Sequence, residues 1–314
     1  MKKLKTYWQI LKKSGSGFID DNAFKLSASL SYYTIFSIGP VLIIVISLAG
    51  LFWGREAVQG QIFYQIDGMI GKEAAVQVQE IIKNTFQTGK DTIGTIIGIV
   101  LLVVGATGVF IEMQDSINSI WSVKAKPKKG WLKLIMNRVI SFSMIVSLGF
   151  ILLVSLVISA FLDAMSKILS AYFKDAMLVF FMILNYIVVL AVVTILFAII
   201  FKVLPDAKLK WRDALIGAAF TAVLFLLGKF GISFYLGQSE LSTTYGAAAS
   251  IVILLTWVYY SSLILFFGAE FTKAYAVTVG GGIHPTDTGV LIKKIEEKEV
   301  PEAKQVPRES LENK

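Results

Sequence analysis

Cysteine is absent, which excludes a disulfide framework, a thiolate metal site and a cysteine nucleophile together. Histidine occurs once, as His284 in a Gly/Pro-rich stretch near the C-terminus, so imidazole-based metal chemistry has almost nothing to draw on and a solvated ring is the plain reading. Charge is scarce as well: 17% of the 314 residues are charged against 55% hydrophobic, and the mean hydropathy of +0.70 exceeds what a soluble domain carries. No residue cluster calls for a cofactor. A cleavable signal pattern is missing too. The first 25 residues read instead as a basic, amphipathic lead-in with Lys2, Lys3, Lys5, Lys12 and Lys13, expected to persist in the mature chain.

What the chain does have is long apolar runs. Six are long enough to cross a hydrocarbon core, which takes about 20 helical residues: Ser27–Trp53, Thr92–Glu112, Val139–Leu162, Met177–Phe201, Ala214–Leu236 and Gly246–Lys273. None alternates polar and apolar as a barrel strand does. The expected fold is therefore all-α, a polytopic membrane protein of six transmembrane helices. Residues 1–26 form the lead-in, 27–273 the membrane domain and 274–314 a charged, Pro-punctuated tail expected to be disordered and cytoplasmic. Residues 54–91 form an extracytoplasmic segment in which Val78, Ile81, Ile82 and Phe86 recur at helical spacing, as in an amphipathic helix.

The net charge of +8 raises nucleic acid as a partner, and the placement of the basic residues argues against it. Of the 30 Lys and Arg, 23 fall on the side holding both termini, 6 on the other, and Lys229 lies within a span. The positive-inside rule then puts both termini in the cytoplasm. The cluster Lys124–Lys133 reads as a juxtamembrane patch that sets topology and meets anionic lipid headgroups. A second copy of the chain or envelope-assembly proteins are the protein partners this arrangement admits.

Polar residues inside the spans are the candidate functional residues. The stretch SASLSYYTIFSIGP, Ser27 to Pro40, carries seven hydroxyls and ends in a Gly39-Pro40 break. By helical period Ser27, Ser31 and Thr34 share a face, while Ser37, Tyr32 and Tyr33 point elsewhere. Gly94, Gly98, Gly105 and Gly108 fall within an arc of about 80°, with Glu112 on the same face. A tight helix contact is the default reading of such a seam, and a polar mouth at Glu112 and Asp115 is the functional one. In the last span Gly246, Ser250, Trp257, Ser261 and Gly268 project within an arc of about 60°, and Glu270 is expected to form an ion pair near the interface. Lys229, deep in the fifth span, needs a partner, a wet cavity or a route to the outer interface, with Glu240 a partner only if the chain folds back. Asp20, Asp21 and Asn22 suit helix capping, and Asn118 and Tyr245 complete the polar set.

Taken together, DN and SASLSYYTIFSIGP at Asp21–Pro40, INSIW at Ile117–Trp121, Leu204-Pro205, Trp211 with Gly217-Ala218, Tyr235, TYG at Thr244–Gly246, WVYYSS at Trp257–Ser262 and GAE at Gly268–Glu270 resemble the YihY/BrkB family of bacterial inner-membrane proteins, over about Asp20 to Ala274. One departure is Ile38-Gly39 before Pro40, where the family usually has a bulky residue beside the proline. The resemblance implies six spans, an inner-membrane location and cytoplasmic termini. Family names derive from a ribonuclease label and from serum resistance, and some members look linked to envelope lipid or lipopolysaccharide handling. A nuclease needs clustered carboxylates or histidines at an aqueous site, and these scattered acids do not supply one, so no enzyme activity is expected. Two readings follow: a transporter or translocator of a lipid or other amphipathic envelope component, with the polar seams lining its path, or a non-transporting scaffold for envelope assembly, with the hydroxyls bonding only helices.

Overall fold

A computed structural model describes residues 2–37, 76, 79, 107–126, 176–238, 244, 245, 248–286 and 289–292. These are mostly helical. In chain order α1 covers Lys2–Asp20, α2 residues 23–37, α3 residues 107–120, α4 Ala176–Val203, α5 Trp211–Gln238 and α6 Ala249–Thr278. Within α4, α5 and α6, the segments Ile183–Val203, Trp211–Leu236 and Ile251–Thr278 are long and apolar enough to cross a membrane. At 28, 28 and 30 residues the three helices reach about 42–45 Å at 1.5 Å per residue, more than the roughly 30 Å of hydrocarbon. Their ends therefore enter the headgroup layer. Of the first three expected spans only 27–37 and 107–112 are described, and the Gly39-Pro40 break, Gly94, Gly98, Gly105, the third span and nearly all of 54–91 lie outside the described residues.

The helix α5 packs between α4 and α6, and α1 lies along α6. Between hydrocarbon-embedded helices there is no hydrophobic force to gain from lipid, so close packing decides the contact. The α5–α6 crossing shows how. Thr221 Oγ1 donates to the Gly217 carbonyl and Thr272 Oγ1 to the Gly268 carbonyl, each at 2.7 Å on its own helix. Each threonine also fills the space beside the glycine of the other helix, so a methyl at Gly217 would strike Thr272 and one at Gly268 would strike Thr221. Higher up, Phe225 of α5 meets Phe197 of α4 and Trp257 of α6 edge-on, at ring distances of 5.8 and 6.1 Å. The helix α1 buries Ile10 against Phe271, Ala274 and Tyr275.

Among the described residues, short strands depart from the expected all-helical fold. The strand β1 (Val123–Ala125) pairs antiparallel with β4 (Gly289–Leu291), and β2 (Ala207–Lys208) with β3 (His284–Pro285). The loops after α3 and α4 are thus each tied to the segment after α6. That segment also departs from the expected boundary at residue 273. The helix continues to Thr278, because Ala274, Tyr275 and Ala276 remain apolar and buried. Gly280-Gly281-Gly282 is then a tight exit: Gly282 adopts φ 77°, its N–H donates to Ala276 O at 2.9 Å, and the Gly281 N–H donates to Asp213 Oδ2 at 2.8 Å. Residues 293–314 lie outside the description.

Candidate functional site

The turn at Asp21-Asn22, the end of α3, the end of α4, the start of α5 and the end of α6 meet at one end of the bundle. There the buried apolar core holds Ala23, Ile117, Trp121, Leu204, Ala214 and Ala269. Polar side chains lock this end in three places.

In the first, Asp206 follows the buried Leu204-Pro205 pair and its carboxylate accepts from Asn118 Nδ2 at 2.9 Å and Gln114 Nε2 at 3.2 Å. The Asp206 N–H donates to Asn118 Oδ1 at 2.9 Å, and its carbonyl accepts from the Thr286 N–H at 3.0 Å and the Thr286 hydroxyl at 3.1 Å. Gln114 and Asn118 stand one turn apart on α3, so one helix face holds the α4–α5 loop.

In the second, the buried Trp121 indole N–H donates to the Ala269 carbonyl at 3.0 Å, tying α3 to the GAE stretch of α6. The third is ionic. Lys273 Nζ lies 3.2 Å from Asp21 Oδ2 and 3.8 Å from Glu270 Oε2, with Glu270 only 2% exposed. A Cβ on Gly17 would lie 2.6 Å from Glu270 Oε2, so the glycine lets α1 close over this carboxylate. The cation beside Glu270 thus comes from its own helix.

Beside these ties lies a cavity of about 400 Å³ lined by Lys202, Lys208, Leu209, Lys210, Trp211, Gly281, Gly282 and His284. Lys202 Nζ donates to the Leu209 carbonyl and sits 5.8 Å from the Trp211 ring centroid. His284 is exposed, and its Nε2 lies 3.2 Å from Gly281 O.

The residues singled out by sequence do not line this cavity. Ser31 Oγ donates to Ala28 O, Thr34 Oγ1 to Leu30 O and Ser261 Oγ to Trp257 O, at 2.7–2.9 Å, so these hydroxyls are bound within their own helices. Ser27 is fully buried, and its hydroxyl has no hydrogen-bond partner among the described residues; the same holds for the Trp257 indole N–H. Gly108 faces Tyr33 and Ser37, with a Cβ there 3.5 Å from the Tyr33 ring, which makes it an α2–α3 contact. Glu112 is half-buried and Asp115 exposed, on α3 faces other than the one that holds Asp206. Lys229 is half-buried with Nζ 5.9 Å from the Phe230 ring centroid, Tyr245 is exposed, and Glu240 lies outside the described residues. Asn22 takes φ 52° and its carbonyl begins α2 by accepting from Lys25 and Leu26. Of the basic patch, Lys124 and Lys126 are described and exposed. Gln114 and Asp206 escaped the sequence reading, and Lys202 and Lys210 entered it only in the count of basic residues; the one-turn spacing of Gln114 and Asn118 hinted at their shared face. Among the described residues no three His, Asp or Glu side chains form a metal-ion group.

Long apolar helices joined through a hydrogen-bonded polar end define a helical membrane protein. A profile of the family described as Virulence factor BrkB matches residues 15–285, and the chain belongs to that family, YihY/BrkB. Among its relatives, a UPF0761 membrane protein of Vibrio campbellii is 32% identical over 254 residues, covering 78% of this chain and 75% of that one. Another from Pseudoalteromonas atlantica is 29% identical, covering 79% of each, and one from Alcanivorax borkumensis is 28% identical. The match covers 83% of this chain but only 58% of the Alcanivorax relative's length. No solved structure matches.

Proposed function

We propose that this chain is a six-span inner-membrane protein with cytoplasmic termini that moves a lipid or other amphipathic envelope component. It is not an enzyme on this reading, and the ribonuclease reading is set aside because a single histidine and acids scattered along the sequence do not suit a nuclease. The orientation rests on the asymmetry of Lys and Arg between the two sides. Movement rests on one observation, the charge cluster Asp21, Lys273 and Glu270 buried where α1, α2 and α6 meet. Ionisable groups set into membrane helices are costly and commonly mark a path for a polar group. The family description as a virulence factor is compatible with an envelope role.

A scaffold is the second reading, and the hydroxyls favour it: Ser31, Thr34, Ser261, Ser262 and Thr272 all bond carbonyls of their own helices. Reconstitution decides between the two. Liposomes containing the purified protein should accelerate flip-flop of a labelled phospholipid or glycolipid over empty liposomes, and Glu270→Gln should alter that rate in folded protein. If no tested lipid moves faster, the scaffold reading stands and the translocator reading falls.

A further inference from the structure

We propose that the cavity between the end of α4, the β2 strand and the glycine exit from α6 binds a phosphate oxyanion, carried by a phospholipid headgroup or as free phosphate. This goes beyond the proposed function and holds whether or not a cargo is moved.

Three lysines, Lys202, Lys208 and Lys210, line about 400 Å³ together with His284, and no carboxylate among the described residues lines it. That volume falls at the small end of the roughly 300–1,000 Å³ common for ligand pockets. Two acids of the adjoining chain, one of them against the cavity wall at Gly281, already hold hydrogen-bond donors. Asp213 Oδ2 accepts the Gly281 N–H at 2.8 Å, and the Asp206 carboxylate accepts from Gln114 and Asn118. The site is also built rather than frayed. Lys202 is fixed by its bond to the Leu209 carbonyl and by the Trp211 ring, and the pairing of Lys208 with His284 sets the opposite wall.

Depth in the membrane points to phosphate. Lys202 lies in the last turn of one apolar span and Trp211 is the first residue of the next. A tryptophan at a span end sits at headgroup level, where the phosphates of the bilayer lie. Lysine binds phosphate as a point charge on a flexible stem, so a cavity with two exposed lysine side chains, Lys208 and Lys210, adapts to a monoester, a diester or the free ion.

Native mass spectrometry of the detergent-solubilised full chain tests this, with phosphatidylglycerol and phosphatidylcholine titrated separately. The wild-type chain should retain phosphatidylglycerol in preference to phosphatidylcholine, whose choline cation offsets its phosphate charge and is repelled by the lysines. The double variant Lys208→Gln/Lys210→Gln should weaken phosphatidylglycerol about tenfold or more, since each lysine at an anionic surface contributes roughly fivefold. Lys12→Gln/Lys13→Gln, which removes the same charge from exposed positions on α1, should leave binding unchanged. Lys210→Glu alone repeats the test should the double variant unfold. Inorganic phosphate that displaces the lipid identifies the free ion as an alternative ligand. Failure to displace it, with the lysine dependence intact, identifies the headgroup. Equal binding by wild type and cavity variants, equal weakening by the α1 variant, or equal retention of phosphatidylcholine overturns the proposal.

Discussion

Asn118 satisfies both polarities of a single residue, accepting the Asp206 N–H and donating to its carboxylate. Asn118→Ala removes both bonds, one of them to a charge, and should cost about 2–4 kcal/mol. Unfolding in mixed micelles of rising denaturing-detergent fraction would measure it. Lys273 carries a comparable load as the ammonium shared by Asp21 and Glu270. Lys273→Met should destabilise by about 2–4 kcal/mol, somewhat below the roughly 3–5 of a fully buried pair because the lysine is 29% exposed. Adding Glu270→Gln should recover part of the loss, and no recovery would mean that the two carboxylates do not depend on this cation together. The sequence marked Asp21, Asn118 and Glu270 by residue type alone. It could not mark Asp206 as the partner of Asn118 at 88 residues' distance, because a hydrogen bond across that separation leaves no local pattern.

At the scale of the helix, the paired Gly-xxx-Thr stretches of α5 and α6 form one reciprocal contact. Gly268→Ala should cost about 1–3 kcal/mol through overpacking. Thr221→Ala in the same chain removes the Oγ1 and Cγ2 atoms that the new methyl meets but leaves Cβ at 2.8 Å, so it should restore only part of the stability in the same unfolding assay. A Gly268→Ala chain as stable as wild type would show that the crossing has room. The seam of small residues on the last span was legible as a packing surface. Which residue it meets was not, because helical period fixes the face a residue occupies and not the helix opposite it.

For the whole molecule, the decisive feature is the return of the chain after α6 to pair with both preceding loops. Residues 124, 210 and, through α1, 12 then belong to one end of the bundle, whereas residue 245 lies between α5 and α6 at the other end. The absence of cysteine makes this directly measurable. Lys12→Cys, Lys124→Cys and Lys210→Cys should each react with an impermeant maleimide from the same side of sealed vesicles, and Tyr245→Cys from the opposite side. On the proposed orientation that shared side is the cytoplasmic one; reaction of Lys12→Cys and Lys210→Cys from opposite sides would refute the packing of α1 on α6 at this end.

The sequence by itself determined the membrane class, the positions of the three described spans to within about six residues and the asymmetry of charge, because each depends on composition summed over about 20 residues. Tertiary structure alone decided which distant partners the polar residues meet. It set Gln114 and Asn118 on Asp206, whereas the hydroxyls of Ser31, Thr34 and Ser261 bond carbonyls three or four residues back on their own helices. It also brought the glycine exit from α6 and the lone histidine against the three lysines of residues 202–210 to form a cavity. The physical reason is that a side chain's polarity is local, whereas its partner is chosen by the packing of segments far apart in the chain.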